Sequence, residues 1–219
     1  MTVTAIDYQW INDYSELADA YCALLARGLS VQDYLRGMHA TPCGTVSGYA
    51  DLERRSSDVW REHPGQQYLI AATTLPGDQG EWLLGLEVNG FLGTIPHLVE
   101  PLSRGTRLVS HFCNVNAVDR FLWYEDGEAR TSFEPLFPTG LNDSPPDDSP
   151  PDGFMELMEE VGFDLREEND EYERDFSMTT EATFALAERL TGVHLTPELL
   201  DKATFVTGLV PHSAAHGPG

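Results

Sequence analysis

Lysine is almost missing from this chain. Thirteen residues are basic, and the single lysine among them is Lys202. No Gly-Lys-Ser/Thr triplet exists to set an ammonium against phosphates, and no motif around Lys202 supports kinase or Schiff-base chemistry. Cysteine is scarce too. Cys22, Cys43 and Cys113 are odd in number and widely spaced, which is no disulfide framework and fits free thiols in a reducing compartment. Long apolar runs are absent, and the opening MTVTAIDYQW has neither a basic n-region nor an apolar h-region. The sequence therefore predicts a cytoplasmic chain with no membrane partner. Positive charge is the largest deficit: 13 Lys and Arg stand against 36 Asp and Glu, a formal net charge of −23. Such a chain is a poor ligand for nucleic-acid phosphates and is repelled by anionic lipid.

What is present is enough to fold. The chain has 219 residues, 41 % of them hydrophobic and 10 % aromatic, sufficient for a packed core. Leu17, Tyr21, Leu24 and Leu25 recur at helical spacing, so residues 12–27 read as an amphipathic helix that Gly28 stops. A short helix is expected from Ser30, a loop over 41–49, and a helix over 51–62 with Leu52, Val59 and Trp60 as a sparse apolar face. Residues 67–75 and 81–89 read as strands of a hairpin. In the second, Trp82, Leu84, Leu86 and Val88 alternate onto one face, with Glu81, Glu87 and Asn89 on the other. A short helix follows Pro96, and strands follow over 107–114, 120–125 and 129–134. Phe154–Val161, Thr180–Leu190 and a Thr196-Pro197-Glu198 start mark C-terminal helices. The expected fold is α+β: a central antiparallel sheet of about five strands with N-terminal and C-terminal helices packed on one face. It forms a single domain over 1–211 with a flexible tail over 212–219.

The acidic charge is local. Residues 143–175 hold fourteen Asp and Glu against Arg166 and Arg174, about half of the net charge. This stretch overlaps a proline-rich segment, 138–153, whose near-repeat SPPDD/SPPDG denies both helix and sheet. A run of this kind is ordinarily a solvated face, but it can also steer a basic protein partner.

Catalytic patterns are incomplete. His39 with Cys43 and His111 with Cys113 supply four nitrogen and sulfur ligands, yet neither spacing is that of a zinc knuckle and no C-x-x-C occurs. His212 and His216, four apart near the end, read as exposed rather than ligating. Gly44-Thr45-Val46-Ser47-Gly48 places its serine one position late for a nucleophile elbow. Ser110 and His111 are neighbours on a strand and point to opposite faces. Carboxylate pairs such as Glu81 and Glu87, Glu125 and Asp126, or Glu159 and Glu160 arise without function in so acidic a chain. Phe121 and Trp123 alternate with Leu122 and Tyr124, the mark of a strand covered on both sides rather than a stacking platform.

Several phrases are familiar as a set: Asp7-Tyr8-x-Trp10, Ala20-Tyr21-Cys22, Arg27-Gly28-Leu29, Trp82…Glu87-x-Asn89-Gly90, Asn114-Val115-Asn116-Ala117, Phe121-x-Trp123 with Asp126-Gly127, Phe133-Glu134-Pro135 and Gly162-Phe163. In this order, over about residues 7–205, the chain resembles a family of actinobacterial proteins of uncharacterised function. The resemblance implies one domain and carries no catalytic residues to transfer.

Two functional expectations follow. The first is a non-enzymatic cytoplasmic interaction module, regulatory or neutraliser-like. It would hold a basic protein through Asp147, Asp148, Glu159, Glu160, Glu167 and Glu168, with no metal and no cofactor. The second is a small-molecule sensor or enzyme with a pocket between sheet and helices, where Glu87, Asn89, Asn114 and Asn116 would meet.

Overall fold

Tyr21–Arg27 forms β1, the strand around which the molecule is organised. In the computed structural model, which describes residues 2–138, 150–166 and 173–217, β1 pairs antiparallel with Gly80–Val88 (β4) on one side and Arg107–Cys113 (β5) on the other. The remaining strands are Thr41–Ser47 (β2), Gln67–Gly77 (β3), Asp119–Glu125 (β6), Glu128–Phe133 (β7) and Thr204–Pro211 (β8). They make one eight-stranded sheet in the order β2-β8-β3-β4-β1-β5-β6-β7, with every pairing antiparallel.

Mixed α+β is right, but the expectation of about five strands is not. Three strands were missed, each for its own reason. Every residue from Tyr21 to Ala26 is buried, because both faces of β1 are covered. A strand in that position has no alternation to read, and its apolar residues happened to fit helical spacing. Of the helix expected over 12–27, only Ser15–Asp19 (α1) is α-helical, preceded by a 3-10 helix at Ala5–Asp13. The loop expected over 41–49 is the edge strand β2, mostly exposed and bulged between Pro42 and Gly44. An exposed edge has no apolar stripe, and proline is tolerated there. β8, rich in β-branched residues, follows the last helix and inserts between β2 and β3.

Helices lie on both faces, not one. The larger core gathers Tyr21, Ala23 and Leu25 with Trp82, Leu84 and Leu86 beneath Tyr49–Glu62 (α3), Phe154–Val161 (α5), Thr179–Thr191 (α6) and Pro197–Lys202 (α7). α6 is buried nearly all round, wedged between the sheet, α5 and the first 3-10 helix, with Tyr8 Oη donating to Glu188 at 2.7 Å. The second core gathers Leu24, Ala26, Ile70, Leu83 and Leu108 beneath Val31–Gly37 (α2) and Pro96–Leu102 (α4). Ser30 caps α2 through the Asp33 amide at 3.0 Å, and Thr196 caps α7 through the Leu199 amide at 3.2 Å. His212–His216, assigned to a tail by sequence, forms a 3-10 turn. Among the described residues no helix is long and apolar enough to cross a membrane.

Candidate functional site

One cleft lies where α3 passes over the ends of β3 and β4. Tyr49, Leu52 and Val59 bury one side of the helix, and Trp60, one residue further round, is turned outward with 59 % of its surface exposed. Ser56 Oγ donates to the Val88 carbonyl at 3.2 Å and ties the helix to the end of β4. The opposite wall is Gln67, Tyr68 and Leu69, and the rim continues through Asn89 and Gly90. The cleft has a volume of about 260 Å³. Arg61 lies along it, its Nε donating to the Ser57 carbonyl at 3.3 Å and its guanidinium paired with Asp58. Burial, followed by the charge of Glu87, raises the Tyr68 phenol above its ordinary range. Trp60 was read as part of an inward face. One exposed indole beside polar neighbours is the signal that sequence periodicity could not supply.

Asn89 lines this cleft, whereas Glu87, Asn114 and Asn116 are not among its walls. Alternation along β4 places Glu87 and Asn89 on the same face, but Asn89 has φ 52° and has left the strand. Its amide donates to Ala20 O at 3.0 Å while its side chain is exposed. Asn114 builds a turn, with Oδ1 accepting from the amides of Asn116 at 2.9 Å and Val118 at 3.2 Å. Asn116 is exposed within that turn.

Glu87 is 2 % exposed and sits on the second-core face of the sheet. Its Oε1 accepts from Gly93 N at 2.8 Å and its Oε2 from Leu92 N at 3.0 Å, so it caps the 3-10 turn Leu92–Thr94. Burial pushes its carboxyl up to about 7, against the lowering effect of those amides. Cys22 and Ser110 lie alongside, Sγ to Oγ 3.8 Å apart, and the Tyr34 hydroxyl is buried nearby with no partner among the described residues. The space is tight. A Cβ on Gly90 would collide with Glu87 Oε2, and one on Gly93 would stand 2.8 Å from Cys22 Sγ. Gly93, which the sequence did not mark, is therefore as much part of this cluster as Glu87.

The four candidate metal ligands do not converge. Cys43 on β2 donates to Thr207 Oγ1 at 3.3 Å, and five strand spacings, about 24 Å, separate β2 from β5. Cys113 Sγ lies 3.9 Å from Ala18 O, and His39 is exposed with φ 56°. His111 is fully buried: Nδ1 meets Tyr21 Oη at 2.9 Å, Nε2 has no partner among the described residues, and the rings of Phe121 and Phe184 enclose it. Burial pushes its imidazole down to about 3. Among the described residues no three His, Cys, Asp or Glu side chains come together as a metal site. Of the acidic candidates, Glu159 and Glu160 are exposed on α5, with Glu160 paired to Arg189 at 2.8 Å. Asp147, Asp148, Glu167 and Glu168 lie outside the described residues.

The sequence matches DUF6461, a family of unknown function, over residues 1–215. The chain belongs to that family. The match extends past both ends of the resemblance seen over 7–205, and it holds a member's sheet, both cores and the cleft within its span. No curated protein and no solved structure matches the chain.

Proposed function

We propose that this DUF6461 protein is a binding module that takes a small planar ligand in the cleft between α3 and the ends of β3 and β4. The observation that carries this reading is Trp60. A tryptophan held 59 % exposed at the mouth of a cleft gives up the gain of burial and offers an aromatic face to a visitor. Asn89 and Ser57 supply a polar edge beside it. At about 260 Å³ the cleft suits a fragment-sized molecule. Flat heteroaromatic fragments, screened by saturation-transfer NMR, should include binders that weaken about two- to tenfold in Trp60→Ala, the loss of one stacking contact. Asn89→Ala should weaken them as well. Fragments that bind equally to both variants, or no binders at all, would refute the reading.

The exposed acids of α5 support a second reading. Glu156 and Glu159 on α5, and Asp152 just before it, face solvent, and their charge would attract and orient a basic protein. In this reading the module is regulatory or neutraliser-like, and the double change Glu156→Lys/Glu159→Lys abolishes salt-sensitive co-elution with its purified partner. Co-elution unaffected by charge reversal would sink it. Three free cysteines support a cytoplasmic setting, and the dominance of arginine over lysine supports a high-GC actinobacterial source.

A further inference from the structure

His212 and His216 were read from the sequence as exposed, yet the 3-10 turn brings their rings together. Their Nε2 atoms stand 3.4 Å apart, with ring centroids separated by 4.5 Å. That spacing is at the long end of the range for a hydrogen bond between the two rings. It is also long for two neighbouring ligands at right angles around one ion, which would stand about 2.9 Å apart. Two nitrogens bound to one tetrahedral zinc at about 2.0–2.1 Å each lie about 3.3–3.4 Å apart. The distance is therefore one that two nitrogens of a tetrahedral zinc site also keep.

The turn is held from several sides before any ion arrives. The His212 amide donates to Gln66 O at 2.8 Å, extending the β3–β8 ladder by one rung. The His212 ring stacks on Tyr68 at 5.8 Å and 22°, and Tyr68 is braced edge-on by Phe91. His97 Nε2 lies 2.9 Å from Ala214 O, and Ala214 and Ala215 pack against the second core. The backbone between the two histidines is thus fixed from three directions, and little ordering is left for binding to impose.

We propose that His212 and His216 form a two-histidine site for a tetrahedral divalent transition ion, zinc foremost. Among the described residues no third His, Cys, Asp or Glu joins them, so two coordination positions stay open to water. Such a site is open to exchange rather than a closed structural staple. It lies beside the cleft, sharing Tyr68 with it, but does not depend on ligand binding there.

Zinc titrated into chelator-treated protein tests this by calorimetry, and Co²⁺ tests it by visible absorption. One ion per chain should bind, the intense visible bands of tetrahedral Co²⁺ should appear, and ring-proton NMR signals of His212 and His216 should shift. His216→Ala, which leaves the Tyr68 stack in place, should lower zinc affinity at least tenfold. His212→Ala/His216→Ala should abolish the Co²⁺ bands, and His39→Ala should change neither measurement. Unchanged thermal unfolding of the variants without metal shows that the turn's surroundings remain folded. Zinc affinity retained in the double variant, a weak octahedral Co²⁺ spectrum, or shifts confined to other histidines would overturn the proposal.

Discussion

Acidification should weaken this protein through His111 in a way that one pair of substitutions isolates. The imidazole is fully buried, and burial holds it neutral down to about 3, whereas in an unfolded chain it takes up a proton near 6.5. Between those values the unfolded state binds the extra proton, so this contribution to stability is complete above 6.5 and is lost as the pH falls toward 3. At pH 5 the loss reaches about 2 kcal/mol. Other groups move the total in the opposite sense, because Glu87 and Asp119 have raised pKa values, about 7 and about 6. A difference between two proteins cancels them. His111→Leu alone strands the Tyr21 hydroxyl, which loses its 2.9 Å partner and costs about 1–3 kcal/mol. Tyr21→Phe/His111→Leu removes both polar groups, including the Nε2 that has no partner among the described residues. Urea unfolding of the wild type and the double variant at pH 8, 6 and 5 should show the wild type losing about 2 kcal/mol relative to the variant. A difference that does not change with pH would refute the reasoning, since it would mean that the folded protein protonates His111 as readily as the unfolded chain does.

Three further outcomes follow from the second core. Glu87, neutral up to about 7 when folded and ionised above 4.5 when unfolded, gives stability that is complete below 4.5 and lost as the pH rises through 7. Urea unfolding should show about 3 kcal/mol of that loss by pH 8, and Glu87→Gln should flatten it while setting an amide NH₂ against the Leu92 or Gly93 amide. Gly93→Ala should cost about 1–3 kcal/mol by thermal or urea unfolding, because the added methyl meets Cys22 Sγ at 2.8 Å. Tyr34→Phe, which deletes a buried hydroxyl without a partner among the described residues, should raise stability by about 1 kcal/mol; a loss of similar size would show that the hydroxyl does have a partner.

What could be read from the sequence was whatever one-sided burial writes into it. The β3–β4 hairpin was legible because Trp82, Leu84 and Leu86 alternate, and its turn narrows to Asp78-Gln79 between Gly77 and Gly80. α3, α5, α6 and α7 carried caps or apolar stripes and emerged close to where they were expected. β1 and β2 were illegible for opposite reasons, one being buried on both faces and the other on neither. At the candidate site, Asn89 was singled out, but the company it keeps was not. A single positive φ turned it toward the cleft while Glu87, two residues before, stayed in the sheet. Trp60 was assigned to the inward face because helical periodicity has no means of saying which of two adjacent apolar residues faces outward.

β8 also sets the order in which the protein can come into being. It follows the other strands in sequence, yet among the described residues it is the only partner of β2 and one of the two partners of β3. On a ribosome, strands β4, β1, β5, β6 and β7 can pair long before residues 204–211 emerge. Through that interval β2 has nothing to pair with, and β3 presents an open edge along Leu69–Ala72. The nascent chain therefore passes through a stage in which part of its sheet is a template awaiting a strand that does not yet exist, and any other extended segment nearby competes for the place.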